Sequence, residues 1–114
     1  MNTKSYPGYV CGSKDEAWRF GAGGIWYDWQ NNRRKFPDDV KIVNIMMLVD
    51  ESHEIGDVSF DDYILPIQWH VSEPNNGGAQ WELSGTHDEP TLSPSLHWIN
   101  VWHGHLKAGK LESC

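Results

Sequence analysis

The side chains best suited to chemistry crowd into the last third of the chain: His87, Asp88, Ser93, Ser95, His97, His103 and His105. A serine hydroxyl is too weakly acidic to attack a carbonyl unaided. It needs an imidazole within hydrogen-bond reach, and an acid to orient that imidazole. Ser95 or Ser93, with His103 as base and Asp88 or Glu89 as the orienting acid, supplies the residue types. Spacing alone does not supply the contact. If Leu96–Ile99 and His103–Leu106 pair around a three-residue loop, Ser95 lies roughly 13 Å from the position facing His103. Only a bulge or a bend at Pro94 closes that gap. Without one, Ser93-Pro94-Ser95 is a loop whose hydroxyls satisfy nearby backbone groups.

The same residues suggest a metal. His103 and His105 stand two positions apart and share one face of a strand. In the hairpin above, His97 faces His105, and three imidazoles on one face make a plausible zinc or iron set. A register shift of one residue throws His97 to the other face. The Cys and His spacings of a strong zinc motif are absent. Histidine beside tryptophan on short strands is otherwise ordinary amphipathic filler.

Tryptophan gives a third reading. Trp18, Trp26, Trp29, Trp69, Trp81, Trp98 and Trp102 make seven in 114 residues. So small a domain cannot bury them all with every indole N–H paired, so some belong at a surface groove, where Trp is a preferred binding residue. A Trp-rich core with exposed ring edges is the alternative. Trp81, Trp98 and Trp102, with Ser93 and His97, are the candidates to wall a site beside His103.

The elements that must position these groups are short. Ser13-Lys14-Asp15-Glu16 has the form of a capping box, opening a helix that runs to Phe20 and stops at Gly21. Ile25–Gln30 alternates like a strand, although the Trp26 and Trp29 spacing also suits a helix face. Val40–Val49 is the clearest strand and, apolar on both faces in its second half, a central one. Asp50–Asp62 reads as an acidic loop and Tyr63–Trp69 as a strand whose Pro66 demands an edge or a bulge. Glu73–Gly78 is a turn and Gln80–Ser84 a strand. Gly85–Pro94 reads as a loop, Leu96–Ile99 and Val101–Leu106 as strands, and Lys107–Lys110 as a hairpin turn. The expected fold class is α+β, predominantly β: a small twisted antiparallel sheet or partial barrel with one or two short helices.

Composition bounds the rest. A chain of 114 residues with 39% hydrophobic content fits one domain, residues 1–114. The net charge is −7, and no Lys or Arg lies between Lys41 and Lys107. Such a surface repels phosphate backbones, so the expected partner is a protein or peptide and not a nucleic acid. No apolar run approaches membrane-spanning length, and the first residues lack the apolar segment of a signal peptide. With Cys11 and Cys114 its only cysteines, the chain is expected in a reducing cytoplasm.

Residues 63–114 resemble a small uncharacterised family of phages and bacteria, often mislabelled as an ammonia monooxygenase. The shared elements are Leu65-Pro66-Ile67, Trp81 with Gly85, Pro90-Thr91-Leu92-Ser93-Pro94-Ser95, and Trp102-His103-Gly104-His105-Leu106 with Gly109. Residues 1–60 carry no such pattern. Some members sit in bacterial ubiquitin-like operons and look like peptidases. The resemblance implies Ser95 as nucleophile, because the pattern admits Thr at position 93, and His103 as base. Many members also carry a Cys-rich knuckle before the Leu-Pro-Ile strand, which has no counterpart between Cys11 and Cys114.

The reading that joins these observations is a Ser/His hydrolase, peptidase-like, with Ser95 as nucleophile, His103 as general base and Asp88 as orienter, requiring no cofactor. The substrate would be an extended or ubiquitin-like tail, met in the host cytoplasm if a phage encodes the chain. A non-catalytic, acidic, Trp-rich module that binds a host factor is the first alternative. A zinc site of His97, His103 and His105 is the second.

Overall fold

The computed structural model describes residues 5, 7–48, 64–71, 80–98 and 102–113. The acidic segment 50–62 and the turn 73–78 lie outside these residues, as does Cys114. Among the described residues nine strands and one helix follow in the order β1 (Tyr9–Val10), α1 (Lys14–Phe20), β2 (Gly24–Trp29), β3 (Val40–Leu48), β4 (Ile64–His70), β5 (Glu82–Gly85), β6 (Pro90–Ser93), β7 (Leu96–Trp98), β8 (Trp102–Lys107) and β9 (Lys110–Ser113). They form three sheets, ordered β1-β2-β3-β4, β5-β6 and β7-β8-β9. The protein is mostly β with one short helix, and no barrel closes among the described residues.

Local chemistry sets most boundaries. The Ser13 hydroxyl accepts from the Glu16 N–H at 3.2 Å, and the Glu16 carboxylate reaches back to the Gly12 N–H at 3.0 Å. That satisfies two donors at the start of α1. At its other end Gly21, with φ of 97°, donates to the Ala17 carbonyl. The helix lies on β2, where a Cβ at Gly24 would press on Ala17 at 3.0 Å. β3 is central, between β2 and β4, and Val40, Val43, Ile45, Met46 and Met47 are fully buried. Pro66 lies on β4 at the sheet's edge, where its missing N–H costs no ladder bond.

Ahead of α1, β1 pairs parallel to β2 through Tyr9 and Val10. One expectation is corrected. The segment 85–94 is not all loop. Pro90–Ser93 forms β6, antiparallel to β5, with residues 86–89 turning between them. β6 is held beside the β8–β9 turn by two bonds, from the Gly109 N–H to the Pro90 carbonyl at 2.8 Å and from the Ala108 N–H to the Thr91 hydroxyl at 2.9 Å. Ala108 (φ 48°) and Gly109 (φ 78°) both take left-handed conformations, as a two-residue hairpin turn with matching twist requires.

One hydrophobic cluster draws on both halves of the chain, from Cys11 and Ile25 to Leu106 and Leu111. Trp102 is fully buried in it, lying against the bare Cα of Gly104. Burying a large apolar side chain of this kind contributes about 1.5–3 kcal/mol. Strand β8 therefore presents a sealed inner face of Trp102, Gly104 and Leu106, and an outer face of His103, His105 and Lys107.

Candidate active site

The β7–β8 ladder decides which groups meet. Leu96 faces Gly104, His97 faces His103, and Trp98 faces Trp102. Leu96 is fully buried, so strand alternation turns Ser95 and His97 to the opposite, outer face. His103 and His105 share that face. Ser95 is thus a diagonal neighbour of His103, a spacing that long side chains bridge. Its hydroxyl oxygen lies 3.1 Å from His103 Nε2, and both residues are half-buried. With the ring proton on Nδ1, Nε2 accepts from the Ser95 hydroxyl.

The sequence-based hairpin differs from the observed one by two positions. It placed Ile99 opposite His103, whereas His97 stands there. A shift of two preserves parity, so His97, His103 and His105 do share a face as expected. It also moves the partner position two residues closer to Ser95, which closes the gap. The bend at Pro94, between β6 and β7, brings the chain into this register.

Two contacts hold the pair. The imidazole of His97 lies against that of His103, with ring centroids 4.6 Å apart and planes 33° from parallel. The indole N–H of Trp81 donates to the Ser95 carbonyl at 3.2 Å, and Trp81 itself packs edge-on against Trp69, centroids 5.0 Å apart. Trp81 therefore acts on the Ser95 backbone, a role that its position in the sequence pattern did not reveal. Trp69 is buried, which anchors Trp81 from behind.

Other expected members lie elsewhere. Asp88 is in the β5–β6 turn, its carboxylate 3.0 Å from His87 Nδ1, and its carbonyl lies beside Gly109. Gly109 is at the far end of β8, roughly 16 Å or more along the strand from His103. Asp88 is therefore not the group that orients His103. Trp102, expected in the wall, is sealed in the core because strand alternation turns it away from His103. Ser93 is exposed on β6, where it shares a depression of about 300 Å³ with His105, Lys107 and Glu112. It flanks the Ser95–His103 pair on the side of His105. Trp98 pairs with Trp102 in the ladder, at the end of the hairpin next to its connection.

Among the described residues, no three His, Cys, Asp or Glu side chains come together in a way that could hold a metal ion. His97 and His103 meet ring to ring, and His103 Nε2 is engaged with Ser95. Cys11 is a free, buried thiol; burial first, and then the Glu16 carboxylate, push its pKa up. It is accordingly a protonated thiol at neutral pH. No helix among the described residues is long and apolar enough to cross a membrane.

No family model, curated protein or solved structure matches the chain. The site is therefore described by its geometry: a serine hydroxyl within hydrogen-bond distance of an imidazole on the outer face of a small sheet.

Proposed function

We propose that the protein is a Ser/His hydrolase acting on peptides, with Ser95 as nucleophile and His103 as general base. The observation that carries this reading is the 3.1 Å contact between the Ser95 hydroxyl and His103 Nε2. In the reaction, Ser95 Oγ bonds to the scissile carbonyl carbon while its proton passes to Nε2. The imidazolium then returns that proton to the leaving amine as the C–N bond breaks, leaving an acyl-serine. Water, deprotonated by the same nitrogen, releases the acid and restores the serine. Proton transfer of this kind contributes about a hundredfold to ten-thousandfold in rate. His97 and Trp81 are positioning residues: one packs on the base, the other holds the nucleophile's backbone.

The substrate class follows from the sheet. β7 is an edge strand of β7-β8-β9 among the described residues, and Ser95 immediately precedes it. An extended peptide adding to that edge would carry its carbonyls past the Ser95 hydroxyl. A free, buried Cys11 is compatible with a reducing cytoplasm as the site of action.

A fluorophosphonate reporter tests the reading, since it is captured by an activated serine and not by a resting one. Labelling of the wild-type chain that disappears in Ser95→Ala is expected, together with slower labelling when an extended peptide competes. A folded wild-type chain that takes up no reporter, or one labelled equally after Ser95→Ala, contradicts it.

A further inference from the structure

The sheet β1-β2-β3-β4 has a face that takes no part in the Ser95–His103 site. Tyr27 and Trp69 point toward the C-terminal half of the chain, where they meet His87 and Trp81. Strand alternation turns Trp26, Asn44 and Gln68 the other way, and these three stand in one row across β2, β3 and β4. Helix α1 covers one end of this face, where Ala17 sits over Gly24. Beside the helix is a depression of about 380 Å³ whose lining includes Lys14, Trp26, Asp28, Asn44, Pro66 and Gln68.

Asn44 breaks the character of its strand. It is the sole polar side chain from Ile42 to Leu48 and only 3% exposed, between fully buried Val43 and Ile45. An amide offers two donor hydrogens and an oxygen that accepts twice. Among the described residues the Asn44 side chain makes one bond, a long one of 3.4 Å from its nitrogen to the Trp26 carbonyl, and its oxygen accepts none. A buried polar group short of partners destabilises a fold, and an apolar residue of the same shape would carry no such cost. The side chains around it are equally unengaged. Half-buried Asp28, exposed Gln68 and exposed Lys14 make no side-chain hydrogen bond or ion pair among the described residues.

We infer that this depression is a binding site for a neutral hexopyranose, free or at the end of a glycan. Its polar groups call for both kinds of partner: the Asp28 carboxylate accepts only, the Lys14 ammonium donates only, and the Asn44 and Gln68 amides do both. A hydroxyl is a neutral group that donates and accepts at once, and a pyranose carries several around one ring. Pro66 and the exposed edge of Trp26 give the C–H side of that ring an apolar wall. A few placed polar groups on an apolar wall are the usual make-up of a small-molecule site, and the volume, at the small end of such sites, suits one sugar ring. Charge disfavours other guests. Lys14 and Asp28 offset one another within the lining, and Asp15 and Glu16 beside Lys14 oppose an anion. A cation would have Lys14 against it.

Ligand-observed nuclear magnetic resonance titration of the full chain tests this with the methyl glycosides of glucose, galactose, mannose and N-acetylglucosamine. Maltose and lactose distinguish a glycan end from a free ring, and glucosamine and glucose 6-phosphate are the charged controls. At least one neutral glycoside is expected to saturate with a Kd on the order of 1 mM, tighter than either charged sugar. Asn44→Leu keeps the volume and deletes the amide. It should weaken that glycoside about fivefold, the worth of one hydrogen bond, while the melting temperature stays equal or rises. Gln68→Ala, at an exposed position, should weaken the same glycoside with the fold unchanged, and it decides the matter if Asn44→Leu does not fold. No saturable binding of a neutral glycoside, tighter binding of either charged sugar, or undiminished binding in the folded variants overturns the inference. None of these outcomes bears on Ser95 labelling, so the two sites are tested separately.

Discussion

Ser95 reaches His103 because His97, two residues further along β7, is the residue that faces His103 across the ladder. One register thus sets both the 3.1 Å contact between the Ser95 hydroxyl and His103 and the His97 ring that packs on His103. Each neighbouring contact then predicts a measurable consequence.

Trp81→Phe keeps an aromatic ring against Trp69 and deletes the N–H that holds the Ser95 carbonyl. The loss of one hydrogen bond predicts about 1 kcal/mol less stability. Reporter labelling should slow several-fold more than that small destabilisation explains. A variant with unchanged labelling would remove Trp81 from the positioning of Ser95.

His97 is exposed, so His97→Ala should change stability by less than about 0.5 kcal/mol. Labelling of Ser95 should nevertheless fall, because His103 loses the ring packed against it. Denaturant midpoint and labelling rate, measured on one preparation, separate the two effects. Partial rescue by His97→Phe, which restores a ring, is expected; no difference between alanine and phenylalanine would count against the packing role.

Asp39 is buried and accepts from Asn31 at 2.8 Å, from the Lys35 N–H at 2.9 Å and from Arg33 at 3.0 Å. These bonds, the one from Asn31 foremost, hold its carboxyl below the usual range. The folded pKa lies below the unfolded value of about 4, so the contribution is complete above that value and is lost as pH falls through the folded one. Asp39→Asn should therefore lower the melting temperature at neutral pH and flatten its decline in acid. An unchanged acid limb would show that Asp39 does not contribute to it.

Gly104 has no room for a side chain: a Cβ there would strike the Glu112 carbonyl and the Trp102 ring. Gly104→Ala should cost at least about 2 kcal/mol, since neither backbone nor a sealed indole can yield cheaply. Equilibrium unfolding measures it. A neutral substitution would mean that β9 and Trp102 can move apart, and would loosen the account of how the outer face is fixed.

Much of the first sheet was legible because its signals are local. Val40–Leu48 is apolar on both faces in its second half, Ser13 and Glu16 cap α1, and Pro66 is confined to an edge. The site was legible in its residue types and less so in its geometry. Parity along a strand put His97, His103 and His105 on one face, but parity cannot distinguish registers two positions apart, and that difference decides whether Ser95 meets His103. β6 was hidden because Pro90 and Pro94 bracket it and its support comes from Ala108 and Gly109, distant in sequence. Trp102 looked like a wall residue by proximity, yet alternation with His103 sends it inward. Asp88 is near the site in sequence alone. The contact between Tyr27 and His87 joins segments 60 residues apart, which no local spacing encodes.

The central claim is that His103 activates Ser95. Its most direct test is the rate of fluorophosphonate adduct formation, followed by intact mass and mapped to one residue. The account predicts one adduct, on Ser95, absent in Ser95→Ala and slowed about a hundredfold or more in His103→Ala with the fold unchanged. A wild-type adduct elsewhere, or equal rates with and without the His103 imidazole, would contradict it.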